Sequence, residues 1–437
     1  MWEQLAERMV AEHDALVLPN LTDRDIPLPI LPGKADTLIG MRRSGKTWRV
    51  LQQLRDLERS GAPRTHTLYV NLEDERLRGA DSMFLAALVD AAFRRDPTAA
   101  SAPFWLMLDE PQTIVGWESF VRRMLDSRTV RVIITGSSAK LLSREVATSL
   151  RGRSISTEVL PFSFREACRH AKVPVPKRWP PPARGRAELE RAFLRYLEIG
   201  GFPEVQTLTV ALRRRVLQEY VDVTLFRDIV ERHHATNVVA LRRLVSHLLR
   251  SPAGKLSVHK LYNDMRSQGV RVAKDALHEY LAHLEDAFFA FTVPIDSKSE
   301  RRRAVNPRKT YLVDPALVQV ATFDAMTTMR GHLLENVVYL ELRRRGVRVA
   351  YQVSETGTEV DFVARHPDGT VELIQVCSDL DGADTLRREI AGLEDIAPSY
   401  PGAKLTIVTM TEEKSFTIGR RKGAFVPAWR FFSEGPV

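Results

Sequence analysis

Residues 36–50 read DTLIGMRRSGKTWRV, and this stretch decides the fold. It contains Gly40-x-x-x-x-Gly45-Lys46-Thr47, the spacing of a phosphate-binding loop. Thr37-Leu38-Ile39 before it is a short apolar, partly β-branched run, which predicts a buried strand. After it, Trp48, Val50, Leu51, Leu54 and Leu57 recur at helical spacing. Strand, glycine loop and helix in that order are the context the motif needs. Glycines let the loop curl so that successive N–H groups aim at phosphate oxygens. The helix N-terminus adds partial positive charge. Gly40, Met41, Arg42, Arg43, Ser44, Gly45, Lys46, Thr47 and Trp48 are therefore the candidate ATP-binding set. Lys46 is expected on the β- and γ-phosphates and the Thr47 hydroxyl on Mg²⁺.

Working outward, strands are predicted at 67–72, 104–108 and 130–136, and helices at 83–93 and 120–125. Strands alternating with helices predict an α/β fold with a parallel sheet covered by helices. The strand at 104–108 runs into Asp109-Glu110. In a nucleotide hydrolase of this layout the first acid helps hold Mg²⁺ and the second polarises the attacking water. The next strand ends Thr135-Gly136-Ser137-Ser138. Ser137 is a candidate for touching the γ-phosphate or the water, and a plain Gly/Ser turn is the alternative. In Leu150-Arg151-Gly152-Arg153, Arg153 (with Arg151 in reserve) is a candidate for neutralising phosphate charge across a subunit boundary. That role would require a ring or another homo-oligomer.

A chain of 437 residues is too long for one ordinary core. At 44% hydrophobic and 27% charged residues it is globular in composition. No apolar run approaches the length of a membrane span, and the N-terminus MWEQLAERMVAEHD lacks a signal core. Cys168 and Cys377 are the only cysteines, which excludes a disulfide framework and a zinc cluster and makes a reducing cytoplasm the simplest home. The net charge of +9 permits an anionic partner such as DNA, and equally a generally basic surface.

Downstream, KVPVPKRWPPPAR at 172–184 is too rich in proline for a regular element. Residues 186–250 read as helical, interrupted at Gly200-Gly201-Phe202-Pro203. Helices at 258–268 and 272–287, then strands at 288–295 and 310–313, form a winged-helix pattern. The segment 298–309, KSERRRAVNPRK, carries six basic residues against one acid and falls on the expected wing. Arg301, Arg302 and Arg303 there, with Arg271 and Lys274 at the second helix, are candidates for straddling a DNA backbone; a solvated hairpin is the alternative. The last segment starts with a helix and continues with strands at 348–352, 359–365, 370–377 and 404–409. His278-Glu279-x-x-x-His283 lacks the i, i+4 spacing that would put two ligands on one helix face.

Several stretches converge on a family. GMRRSGKT, LMLDEPQ, ITGSSAKLLSREVATSLRGRS with LPFSFREA, YLEIGGFPEV, LQEYVDVTLFRDIVER, YLAHLEDAFFAF, KTYLVDPAL and HLLENVVYLEL with EVDFV and LIQVCSDL span nearly the whole chain. The chain resembles the prokaryotic AAA+-type ATPases that carry a C-terminal domain of unknown function with a nuclease-like fold. The resemblance implies ATP binding at 1–165, a helical lid or connector at 166–255, a winged helix at 256–315 and a restriction-endonuclease-like domain at 316–437. Nucleases of the PD-(D/E)xK type hold Mg²⁺ with a helix acid, a strand aspartate and an acid-x-lysine on the next strand. By that resemblance Glu335 is the helix acid and Asp361 the strand aspartate, while Gln375 stands at the acid position and Cys377 at the lysine position. An amide is a poor ligand for a hard cation and a thiol supplies no ammonium, so this end is expected to be degenerate as a nuclease. The functional expectation is an ATPase coupled to DNA remodelling or repair. The alternatives are a nucleotide-controlled signalling or defence switch acting on a protein partner, and a disfavoured ATP-dependent nuclease.

Overall fold

A computed structural model describes residues 2–127, 129–136, 150, 152–176, 180–322, 325–378 and 383–434. The chain divides into two compact units, Met1–Leu160 and Pro161–Val437.

In the first unit the strands are β1 (Ala35–Ile39), β2 (Thr67–Asn71), β3 (Phe104–Asp109), β4 (Val130–Gly136) and β5 (Ser154–Glu158). They form one parallel sheet in the order β2-β3-β4-β1-β5. β1 is buried at every position, as a strand covered on both faces must be. Leu38, Met107 and Ile133 pack against Val50 and Leu54 of the helix Lys46–Arg59. The expected strands and the helices Lys46–Arg59, Ser82–Arg95 and Trp117–Asp126 are all present. β5 was not legible: SISTE is polar and half-exposed, and its identity comes from pairing with β1. The helix Trp2–Asp14 packs on the sheet through Ala6, Met9, Val10 and His13. Burial drives the His13 pKa down to about 4, so its imidazole is neutral and its Nδ1 accepts from the Tyr69 N–H at 3.2 Å.

The second unit spans the segments read as connector, winged helix and terminal domain. The helices Ala183–Ile199 and Val210–Val223 flank the GGFPE stretch. Gly200 sits at φ 75°, and a Cβ there would collide with the Asp314 carboxylate. Asp314 is wholly buried; it accepts from Gly201 N at 2.6 Å and Ala316 N at 2.9 Å. GGFPE and YLVDP are therefore two halves of one joint. Next come the helix Val238–Arg250, β6 (Lys255–Leu256), the helices Val258–Ser267 and Lys274–Asp286, β7 (Ala290–Val293) and β8 (Arg308–Leu312), with sheet order β6-β8-β7. The expected charged loop between β7 and β8 instead carries a short helix, Glu300–Val305, started by the Ser299 side chain.

A six-stranded sheet follows: β9 (Arg348–Val353), β10 (Glu359–Arg365), β11 (Val371–Cys377), β12 (Lys404–Thr409), β13 (Lys414–Ile418) and β14 (Arg421–Pro427). Its order is β13-β14-β12-β11-β10-β9. β9, β10 and β11 are antiparallel, whereas β11, β12 and β14 run parallel. The helix Arg330–Arg344 fastens it to the preceding hairpin. Asn336 on that helix grips the backbone of β8, accepting from Leu312 N at 2.8 Å and donating to Leu312 O at 2.9 Å. Among the described residues, no helix is long and apolar enough to cross a membrane.

Candidate functional site

The loop after β1 has the curl its glycines anticipate. Gly40 lies at φ 151° and Gly45 at φ 99°, and Gly45 starts the helix Lys46–Arg59 without a side-chain cap. A Cβ on Gly40 would run into the Val159 carbonyl oxygen, so the loop passes β5 where only glycine fits. Lys46 is 6% exposed, and its ammonium donates to the carbonyls of Gly40 and Met41, each at 3.0 Å. The Ser44 hydroxyl is buried without a hydrogen-bond partner, a polar atom that a phosphate oxygen would satisfy. Trp48 follows on the helix, 48% exposed. Arg42 leans toward Glu73 at 4.0 Å, and Arg43 takes a left-handed φ of 65°.

Arg24 supports the loop from below, and sequence reading missed it. Its guanidinium is buried and donates to Ser44 O at 2.9 Å and Leu160 O at 2.6 Å. A lone arginine in a proline-rich approach carries no local signal for that role.

Asp109 ends β3 beside the loop because β3, β4 and β1 are successive neighbours with their carboxyl ends aligned. Ligands of open α/β sheets gather at that edge. The carboxylate is 5% exposed and collects three hydroxyls. Its Oδ2 accepts from Thr47 Oγ1 at 2.8 Å and from Tyr69 Oη at 3.0 Å, and its Oδ1 accepts from Thr135. Burial first, then the adjacent Asp109 charge, push the Tyr69 phenol above its ordinary range, so it stays a donor. Carboxylate and hydroxyl oxygens are the donors that Mg²⁺ prefers, and Thr47 and Asp109 stand where they would hold one. Tyr69 and Thr135 were not foreseen; the only trace of the first was a phenol inside an otherwise apolar strand.

Glu110 occupies left-handed backbone at φ 54°, costly for a residue with a Cβ. Its amide donates to Thr135 O at 3.1 Å, and its carboxylate accepts from the Gln112 amide. Arg153 is ion-paired with Asp126 on the protein surface. Ser137 and Arg151 lie outside the described residues.

The residues singled out in the terminal segment come together only in part. Glu335 and Asp361 converge, joined by Glu359, around the ammonium of Lys309. Lys309 falls in the segment expected to form a basic wing; β8 instead carries it to 3% exposure. Gln375 braces the sheet: its Oε1 accepts from Asp361 N at 3.2 Å and its Nε2 donates to Glu389 at 2.7 Å. Cys377 does not stand in for a lysine at this cluster. It is buried among Leu373, Leu393 and Phe425, because strand alternation turns it toward the helix Ala383–Ile396. Arg271, Lys274, Arg301, Arg302 and Arg303 are all exposed.

Residues 33–168 match the family described as "AAA domain", and residues 190–327 match one described as "Domain of unknown function (DUF8612)". An uncharacterised protein of Methanocaldococcus jannaschii is 31% identical over 419 residues, 94% of this chain and 90% of that protein. An uncharacterised protein of Haemophilus influenzae is 27% identical over 331 residues, 75% of this chain and 79% of that one. Among solved structures, the Walker-type ATPase of Pyrococcus abyssi has 16% identity, covers 73% of this chain and 95% of its own, and has a TM-score of 0.40. Cdc6p from Pyrobaculum aerophilum has 12% identity, coverages of 76% and 94%, and a TM-score of 0.26. Sharing nearly a third of its residues over almost the full length of both chains, this chain belongs to the same family as the Methanocaldococcus jannaschii protein, with residues 33–168 carrying the similarity to the AAA domain family.

Proposed function

We propose that the chain is an ATPase of the AAA+ type that binds DNA and couples nucleotide turnover to rearranging it. The observation that carries the nucleotide half is the Thr47–Asp109 contact, which joins the phosphate loop to the acid at the end of β3. Lys46 has two loop carbonyls to exchange for phosphate oxygens, and the curled loop offers its amides. Thr47 and Asp109 would hold Mg²⁺, which screens phosphate charge when bound. Tyr69 and Thr135 keep the Asp109 carboxylate oriented through their hydroxyls. Glu110, set off the strand by its backbone, is the base that takes a proton from water. Ser137 and Arg153 are the proposed further contacts to the γ-phosphate, Arg153 by exchanging Asp126 for a neighbouring copy's nucleotide.

The DNA half rests on the second unit. Three helices with the small β6-β8-β7 sheet have the order of a winged helix, and exposed Arg301, Arg302 and Arg303 project between its two long strands. Phosphate contacts of this kind are electrostatic and sequence-tolerant. Double-stranded DNA is expected to raise ATP turnover by the intact chain. Replacing Arg301, Arg302 and Arg303 by Glu together should remove that stimulation and weaken DNA binding at low salt at least about 10-fold, with basal turnover retained. No DNA affinity in the unmodified chain would reject the DNA half and favour a protein partner.

A further inference from the structure

Glu335, Glu359 and Asp361 bring three carboxylate oxygens to one point. Glu335 comes from the helix Arg330–Arg344; Glu359 and Asp361 lie two residues apart on β10. Carboxylate oxygens are the ligands that hard divalent cations prefer. Here the point is taken. Lys309 Nζ lies 2.8 Å from Glu335 Oε1, 2.7 Å from Glu359 Oε1 and 2.8 Å from Asp361 Oδ1. An ammonium has three protons, and each meets one acid.

The surroundings are built for that occupant. The Lys309 side chain is 4% exposed and arrives from β8, a strand of the other sheet in this unit. Tyr311, two residues along the same strand, donates to Glu335 Oε1 at 2.8 Å. Lys255, on the paired strand β6, binds the second oxygen of Glu359. Val376 N donates to the second oxygen of Asp361 at 2.9 Å. Burial opposes the charge on Lys309, but Asp361, Glu335 and Glu359 outweigh it and hold the ammonium protonated.

We propose that Lys309 is a tethered replacement for a divalent cation: the carboxylate set requires a cation at its centre, and the neighbouring hairpin supplies one covalently. The terminal sheet is thereby shut to metal-dependent hydrolysis, and the same contact latches the hairpin bearing Arg301–Arg303 to that sheet. The cause is a lysine from another element, independent of the Gln375 and Cys377 replacements on β11.

The test uses the full-length chain without nucleotide, so it is independent of the ATP site. Mn²⁺ binding, by calorimetry and by its effect on thermal melting, is compared among the unmodified chain, Lys309→Met, and Lys309→Met with Asp361→Asn. The unmodified chain should show no Mn²⁺ binding that depends on Asp361. Lys309→Met should gain one such Mn²⁺, and saturating metal should raise its melting temperature by about 5 °C or more, a rise that Asp361→Asn removes. Asp361-dependent Mn²⁺ uptake by the unmodified chain would overturn the proposal. So would Lys309→Met that neither binds Mn²⁺ nor is stabilised by it, including a poorly folded variant that the metal fails to rescue.

Discussion

Asp109 and Asp361 are both aspartates of a sheet, both buried, and both at the centre of a polar cluster, yet they are neutralised in opposite ways. Asp109 is ringed by hydroxyls from Thr47, Tyr69 and Thr135. Hydroxyls orient a carboxylate without cancelling its charge, and they yield to a metal at small cost. Asp361 faces a lysine ammonium held also by Glu335 and Glu359. That charge is cancelled inside the chain, and removing Lys309 leaves the Asp361 carboxylate buried without its cation. Under the proposed function the first site would take a cation from solution; the second carries its own. The contrast separates a centre arranged for turnover from one arranged for holding.

The titration of Glu335 marks the same difference. Burial first, then the Asp361 charge, raise its pKa to about 8 against the pull of Lys309 and Tyr311.

Two substitutions sharpen the contrast. The larger effect is expected for Glu110→Gln: ATP turnover falls by about 100-fold or more while nucleotide binding persists, because only proton transfer is removed. Equal loss of binding and turnover, read by titration beside a phosphate-release assay, would strip Glu110 of its role as base. The smaller effect is expected for Tyr69→Phe, which removes one donor to Asp109 and nothing else from the packing. The Mg²⁺ concentration for half-maximal turnover should rise by about 10-fold. An unchanged requirement would mean that the Asp109 carboxylate is oriented without Tyr69.

The two clusters also differ in how far the sequence revealed them. The loop, Asp109 and Glu110 are legible because each depends on its own neighbours: glycine spacing, a helix start, an acid at a strand end. Tyr69 and Thr135 reach Asp109 through the register of parallel strands, in which Asp109 pairs with both Asn71 and Thr135, and no local pattern encodes that. Lys309 is the extreme case. It closes a run of six basic residues and reads as one more solvated charge. Only the pairing of β8 with β6 and β7, and the grip of Asn336 on Leu312, bring it under the terminal sheet. For Gln375 and Cys377, the helix Ala383–Ile396 decides what each meets: the Glu389 carboxylate for Gln375 and hydrocarbon for Cys377. The joint of Asp314 with Gly201 has the same origin, since it forms between residues far apart in sequence.

The central claim is that residues 40–48 with Asp109 grip a triphosphate and its magnesium. Calorimetric titration of ATP into the chain, with and without Mg²⁺ and in parallel with Lys46→Ala, tests it most directly. The account predicts a single nucleotide per chain, bound more tightly with Mg²⁺, and an affinity about 100-fold weaker in Lys46→Ala. No heat of binding, or an affinity that Lys46→Ala leaves unchanged, would contradict it.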